Sequence, residues 1–242
     1  METPTLSTMV VLYTTNLKFD TTELVNLIPL ERGIIRVEKR GIVKRGRSKR
    51  DDVNRRSKKE SKSNNTGFGN NSMTLVILDD GNGTLKEKEI TIKIFQNGVF
   101  HLTGVIDDAY DSSSMAKILD IIWSNCRTAI RECPDTYQIV NRRVVLMNYT
   151  TKLMIDAVPR QALYNVIRQL NLDNISIHYD PDVYPGVKIH IGPHKWIAKV
   201  FRTGKLILTG ITTKDQCSEF VVQLTALLQR TLPTLAAAMD SR

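Results

Sequence analysis

The chain has 242 residues, of which 41% are hydrophobic and 24% charged, a composition typical of water-soluble globular proteins. This length fits one large domain or two domains of roughly 100 residues each. It contains no apolar run long enough for a membrane helix, and its first residues lack the pattern of a signal peptide, so we expect a protein that is not secreted. The three cysteines have no CxxC spacing, which argues against a disulfide framework and against a structural zinc site.

The positive charge is concentrated in one segment. The formal net charge is +9, and twelve basic against three acidic residues lie between Lys39 and Lys62, so the remaining residues sum to zero. The stretch from Lys44 to Ser72 is polar and rich in Gly and Asn, which predicts a mostly disordered insertion. Its role has open alternatives: a solvated loop, or a basic arm that binds a polyanion or acts as a nuclear import signal.

The first half of the chain alternates strand and helix patterns. Residues 9–15 predict a strand, and the apolar spacing around 24–28 predicts a helix. Two further strands, 34–37 and 73–78, flank the insertion. They are followed by a hairpin at 92–104 and a helix at 115–123.

The second half repeats this order. Its predicted elements are a strand at 144–147, a helix at 158–170, strands at 175–179 and 187–191, a hairpin at 198–210 and a helix at 220–228. The two hairpins align at an offset of 106 residues with six of thirteen positions identical. The identical pairs are Lys93/Lys199, Phe95/Phe201, Gly98/Gly204, Leu102/Leu208, Thr103/Thr209 and Gly104/Gly210.

Two such halves predict an α+β protein. We expect a pseudo-symmetric saddle of two repeats, 6–132 and 138–232, followed by a C-terminal tail at 233–242. Its single curved antiparallel sheet would carry helices on the convex face only. The other face would be left bare, and an exposed apolar sheet face indicates a binding partner.

Two motifs resemble the TATA-box-binding protein (TBP) family. Tyr179-Asp-Pro-Asp-Val-Tyr-Pro-Gly186 is similar to the family's Tyr-Glu-Pro-Glu-Leu-Phe-Pro-Gly, and the stretch from Val200 to Gly210 resembles its Ile-Phe-x-Ser-Gly-Lys-Val-Val-Leu-Thr-Gly. Tyr184 and Phe201 are 17 residues apart, the spacing of the two wedge phenylalanines in the family's second repeat. The resemblance covers residues 6–232, most strongly the second half, and is closest to the TBP-like proteins of large cytoplasmic DNA viruses.

The resemblance implies four wedge residues that pry open base steps from the minor groove. Phe95 and Phe201 match the hairpin wedges, and Tyr184 replaces a third phenylalanine. Met73 fits the fourth by its place before a strand, with Phe68 as the alternative. Judged without the family, the aromatic residues could equally be ordinary core residues.

The resemblance also implies further contacts with DNA and with a protein partner. Thr103, Thr209, His101, Ile207 and Asn141 would face the groove, and Lys205 would contact a phosphate. His101 departs from the family's valine, Ser7 stands where the second asparagine is expected, and Val99 lacks the equivalent of Lys205. The residues that would meet a partner resembling transcription factor IIB are Asp180, Asp182 and Val183.

The sequence offers no sign of an enzyme. His190 and His194 enclose Gly192-Pro193, which is unlike a helical zinc pair, and no phosphate-binding loop occurs. We therefore expect no catalysis, cofactor, metal, small-molecule substrate or membrane. The expected partners are A·T-rich promoter DNA, a IIB-like factor and RNA polymerase machinery, in the nucleus or in a viral factory or virion.

Two other functions remain open from the sequence. The chain could be a protein-interaction or virion scaffold module that keeps the saddle but has lost TATA recognition. It could also bind DNA without sequence preference through the basic arm.

Overall fold

The structure is a computed structural model. It describes residues 1–40, 42–49, 51, 71–132, 134–155 and 157–240. Most of the predicted insertion, residues 50 and 52–70 with Phe68 among them, lies outside the described residues.

The described residues form thirteen strands. They are β1 (Thr5–Thr15), β2 (Lys18–Phe19), β3 (Ile34–Lys39), β4 (Val43–Gly46), β5 (Ser72–Asp79), β6 (Lys88–Phe95), β7 (Val99–Val105), β8 (Ile130–Glu132), β9 (Ile139–Lys152), β10 (Ile175–His178), β11 (Val187–Ile191), β12 (Ile197–Val200) and β13 (Lys205–Ile211). The helices are α1 (Thr21–Leu27), α2 (Asp108–Asn125), α3 (Arg160–Gln169) and α4 (Lys214–Asp240), with a short 3-10 helix at Arg127–Ala129.

The chain divides into two compact units. The first unit is Val10–Arg143, and its strands are ordered β4-β3-β5-β6-β7-β1. Helix α1 packs against β3 and β5, and α2 packs against β5, β6 and β7. The short strands β2 and β8 pair with each other in a separate ribbon.

The second unit consists of Met1–Met9 and Val144–Arg242. Its strand order is β1-β9-β13-β12-β11-β10. Helix α4 packs on β11 and β13, and α3 packs on β10 and on α4. Its core contains Trp196, Phe220 and the buried aliphatic residues of β11 to β13.

Strands β1 and β9 contribute residues to both units, and the hydrogen-bonded order continues through eleven of the described strands. The paired registers are antiparallel. The predicted α+β class, with a large antiparallel sheet and helices packed on it, is confirmed.

The sequence repeat is also a repeat of backbone geometry. Gly98 and Gly204 have φ angles of +79° and +75°, in the region that favours glycine. The Gly98 N–H donates to Phe95 O (3.1 Å) and the Gly204 N–H donates to Phe201 O (3.0 Å). Each hairpin therefore turns in the same way directly after its phenylalanine.

Two predicted boundaries differ from the structure. Lys44 to Gly46 are not disordered, because they complete β4, which pairs with β3. Arg45 fixes this strand by donating through Nη2 to the carbonyl of Val25, in the last turn of α1, and to that of Ile28, directly after the helix. Helix α4 continues to Asp240 through Pro233, past the expected start of a tail, since a helix can accommodate a proline at the loss of one hydrogen bond.

Candidate nucleic-acid interface

Side chains of the sheet strands alternate between two environments. In β6, Ile90, Ile92 and Ile94 are fully buried on the side where α2 packs, and Lys93 and Phe95 point to the other side. We call this other side the helix-distal face of each unit. The candidate site lies on these faces.

The helix-distal face of the second unit is built from aligned rows. One row joins His178, Lys188, Lys199, Ile207 and Thr150 across β10, β11, β12, β13 and β9. The neighbouring row joins Ser176, His190, Ile197 and Thr209. The predicted groove residues Ile207 and Thr209 are half-buried here.

Two predicted wedge residues meet beside this face. The rings of Tyr184 and Phe201 are both half-buried, and their centroids are 5.9 Å apart at an angle of 60°. Gly186 makes the close approach possible, because a Cβ at this position would lie 2.9 Å from the Tyr184 ring and 3.3 Å from the Phe201 ring. The structure thus brings together an aromatic pair that the sequence predicted only through the 17-residue spacing.

Two lysines lie next to the tyrosine of this pair. The Nζ atoms of Lys188 and Lys199 lie 5.0 Å and 5.6 Å from the Tyr184 ring centroid, within the range of cation–π attraction. These two lysines also stand directly opposite each other on β11 and β12. Like charges in such a cross-strand pair repel one another.

A second pair of opposed lysines lies on the neighbouring strands β13 and β9. Lys205 of β13 faces Lys152 of β9, and both are exposed. They line a notch of about 410 Å³ together with Glu2, Thr3, Thr5, Thr150, Thr151 and Thr203. Among the described residues, no carboxylate lies within ion-pair distance of any of the four lysines. This face therefore favours a polyanion.

The first unit carries a different set of side chains on its helix-distal face. Phe95 is half-buried at the end of β6, opposite Ser72, and no other aromatic ring of the described residues pairs with it. His101 lies opposite Lys93, and Thr103 opposite Thr91. Burial, followed by the charge of Lys93, lowers the pKa of His101, so this imidazole is neutral at neutral pH.

Met73 does not lie on this face, and its predicted wedge position is not supported. Its side chain is 1% exposed and belongs to the core with Leu75 and Ile77. The alternation of β5 turns Ser72 and Thr74 to the helix-distal face instead. A one-residue error in the inferred register moves a side chain to the opposite face of a sheet.

Asn141 and the turn that was predicted to bind a partner lie elsewhere. Asn141 is exposed near the start of β9. In the turn between β10 and β11, the Asp182 N–H donates to Asp180 Oδ1 at 3.1 Å, so Asp180 helps to shape the turn. Asp182 is exposed, and Val183, at 76% exposure, is among the most exposed large apolar residues described.

The sequence reasoning missed Lys152, Lys188 and Lys199 as members of the site. Lys199 was visible as a position identical in both repeats, and Lys188 alternates with buried residues of a predicted strand. Their closeness to Tyr184 depends on strand pairing, which the sequence alone does not fix.

Within the described residues, no group of three or more His, Cys, Asp or Glu could hold a metal ion. None of the described helices is long and apolar enough to cross a membrane.

Comparison with solved structures identifies the fold. TBP from Methanococcus jannaschii superposes with a TM-score of 0.58, covering 95% of this chain and 99% of that one at 14% sequence identity. The chain has the TBP fold. The predicted TBP-like fold is therefore confirmed.

Sequence comparison agrees with this fold. Residues 161–231 match the family model described as transcription factor TFIID, or TATA-binding protein. The TBP of Picrophilus torridus is 24% identical over 146 residues, which are 60% of this chain and 72% of that protein. TBP 2 of Methanosarcina acetivorans is 28% identical over 108 residues, 36% of this chain and 57% of that protein. These relatives carry the name of a DNA-binding factor and not of an enzyme, in agreement with the predicted lack of catalysis.

Proposed function

We propose that the chain is a TBP-like transcription initiation factor that binds double-stranded DNA in the minor groove. The observation that carries this proposal is the Tyr184–Phe201 pair with two opposed lysine pairs beside it. Similarity to TBPs in fold and in residues 161–231 supports the assignment. The resemblance to viral members stays a prediction, since the relatives that match are archaeal.

The chemistry of this face suits the minor groove. The groove offers a degenerate hydrogen-bonding pattern, so proteins read it through width, apolar contact and insertion of side chains between base steps. TBPs are themselves a reference case for this mode. Phe201 and Tyr184 supply half-buried aromatic surface, and Ile207 with Thr209 forms a neutral strip next to it.

The lysines of the second unit supply the positive charge that binding to DNA phosphates requires. Phosphate neutralisation provides most of the affinity for DNA that is independent of sequence. Lys188, Lys199, Lys152 and Lys205 have no carboxylate partner among the described residues, and an anion between two opposed lysines would remove their repulsion. Roles for Phe95, Thr103, His101 and Asn141 in the same contact follow from the resemblance and stay predictions.

The turn between β10 and β11 would recruit a protein resembling transcription factor IIB. Val183 offers exposed apolar surface and Asp182 an exposed carboxylate, while Asp180 holds the turn through its bond to the Asp182 N–H. An exposed apolar side chain flanked by polar residues matches the apolar centre and polar rim of protein interfaces.

A mobility-shift series tests this function. Wild-type protein is titrated onto A·T-rich and G·C-rich duplexes at two salt concentrations, beside Phe201→Ala and the control Val222→Ala, whose side chain on α4 is exposed. We expect preference for the A·T-rich duplex, loss of affinity in Phe201→Ala and no change in Val222→Ala. Steeply salt-dependent binding without sequence preference would instead support a non-specific DNA-binding protein, and absence of binding a scaffold module.

A further inference from the structure

The two helix-distal faces differ in charge. In the first unit, three ion pairs lie at this face: Arg36 with Glu38, Arg36 Nε with Asp51 at 3.5 Å, and Lys44 Nζ with Asp51 at 2.6 Å, while Lys93 is exposed. In the second unit the four lysines described above have no such partner among the described residues.

The first unit's face is also covered at its centre. Val76 alternates in β5 with Leu75 and Ile77, which are buried on the helix side, so its own side chain points to the helix-distal face. It is nevertheless 0% exposed, and its neighbours in the same row, Arg36 and Thr91, are each 8% exposed. This part of the face is therefore shielded from solvent.

The covering segment is part of the same chain. It consists of residues 47–49 and Asp51, directly after β4, and it contacts the face on both sides of Val76. Asp51 binds Arg36 of β3 and Lys44 of β4, and the Lys49 N–H donates to Glu89 Oε1 of β6 at 3.2 Å. Strand β5, with Val76, lies between β3 and β6. Ser48 is itself 5% exposed, as expected of a segment packed against a surface.

We propose that this segment is an intramolecular cover of the first unit's helix-distal face, and that duplex DNA is bound and bent through the second unit's face. The inference rests on the proposed function and deepens it. It assigns the principal wedge to Tyr184 and Phe201, and it makes the segment a competitor of DNA for the first unit.

The repeat provides matched variants for a test. Phe95 and Phe201 are equivalent positions, as are Lys93 and Lys199. The full chain is bound to an end-labelled A·T-rich duplex, the bend is measured by energy transfer between the ends, and affinity is measured by anisotropy. We expect Phe201→Ala to lose most of the bend and Phe95→Ala to lose less. Likewise, Lys199→Gln should weaken binding several-fold and Lys93→Gln should not.

A second arm tests the cover itself. Asp51→Ala with Glu89→Ala removes both attachments of the segment, and Glu87→Ala with Asp215→Ala removes the same charge at exposed positions. We expect the first double variant to gain more affinity than the second, and the effect of Lys93→Gln to appear only in the first.

The outcomes separate the two proposals. Equal losses in both members of the Phe pair and of the Lys pair would overturn one-sided binding while leaving the DNA-binding function intact. Equal affinity gains in the two acidic double variants would overturn the cover. Failure of the wild-type chain to bind any duplex would overturn the proposed function and this inference together. Thermal unfolding of every variant checks that each comparison is made between folded proteins. Phe→Leu variants at 95 and 201 are measured beside the alanine variants for the same purpose.

Discussion

At the scale of single residues, the first unit is held by a buried carboxylate. Asp111 on α2 is fully buried and accepts hydrogen bonds from Tyr13 OH at 2.6 Å and from Arg142 Nε at 2.7 Å. Burial, followed by the bond to Asp111, raises the pKa of Tyr13 to about 12. The same carboxylate raises the pKa of Arg142 above its ordinary value. These contacts connect β1, α2 and the start of β9.

Arg142→Ala should destabilise the protein by about 3 kcal/mol, because it leaves the Asp111 charge buried with only the tyrosine hydroxyl as a charge-stabilising side chain. The control is Arg143→Ala next to it, an exposed residue whose loss should change the free energy of unfolding by less than about 0.5 kcal/mol. Urea unfolding at neutral pH measures both. Equal stability of the two variants would contradict a stabilising role for the Asp111 contacts.

The cysteines give a second prediction at this scale. Burial raises the pKa of both Cys126 and Cys217 to about 11, so almost no reactive thiolate is present at pH 8. In a Cys133→Ser background, Ellman's reagent should not label the native protein and should label two thiols after denaturation. Rapid labelling of the native protein would show that one of these residues is not in the core.

At the scale of elements, the hairpin glycines are required by their surroundings as well as by their φ angles. A Cβ on Gly98 would lie 2.0 Å from the carbonyl oxygen of Leu17. Gly83 has the same φ of +79° but no atom within 4 Å of its ideal Cβ. A comparison of Gly98 with Gly83 therefore separates the effect of steric conflict from the effect of backbone strain.

Gly98→Ala should therefore cost more stability than Gly83→Ala. Both variants place alanine in the left-handed region, at about 1–2 kcal/mol. Only Gly98→Ala also forces the first hairpin away from Leu17, which adds about 1–3 kcal/mol. Thermal unfolding of the two variants provides the comparison, and similar midpoints would mean that the hairpin can shift without cost.

The elements that could be predicted from sequence are those with regular apolar spacing. The hairpins around Gly98 and Gly204 follow from alternation and from turn glycines at equivalent positions, which are local signals. The burial of Met73 could not be predicted, because the face of β5 depends on its register with β6. The strand at Val43–Gly46 could not be predicted either, because it lies in a run of basic residues without regular apolar spacing. Its stability comes from pairing with β3 and from the hydrogen bonds of Arg45.

At the scale of the whole molecule, the average charge is misleading. Outside the basic segment the residues sum to zero, a value that by itself predicts little phosphate binding by the rest of the chain. The structure instead gathers four unpaired lysines on one face of the second unit, while acidic residues of the first unit pair with Arg36, Lys44 and Lys117. Local concentration of charge, and not the net charge, determines the attraction of a polyanion. The aromatic residues of the site could be predicted from their spacing in the sequence. The grouping of the lysines could not, because it depends on the strand register.

The final prediction concerns this charge distribution. Lys152→Gln with Lys205→Gln should lower the salt dependence of DNA binding by about one unit of log–log slope for each phosphate that the variant no longer neutralises. The same double variant should leave unfolding unchanged or raise its free energy slightly, because it removes a like-charge pair from directly opposite positions of β9 and β13. The control is Lys86→Gln with Lys214→Gln, which removes the same charge at exposed positions away from this face. If anisotropy titrations over a range of salt concentrations give the same slope for the two double variants, the contribution of Lys152 and Lys205 is only their net charge, and the notch between them is not a phosphate site.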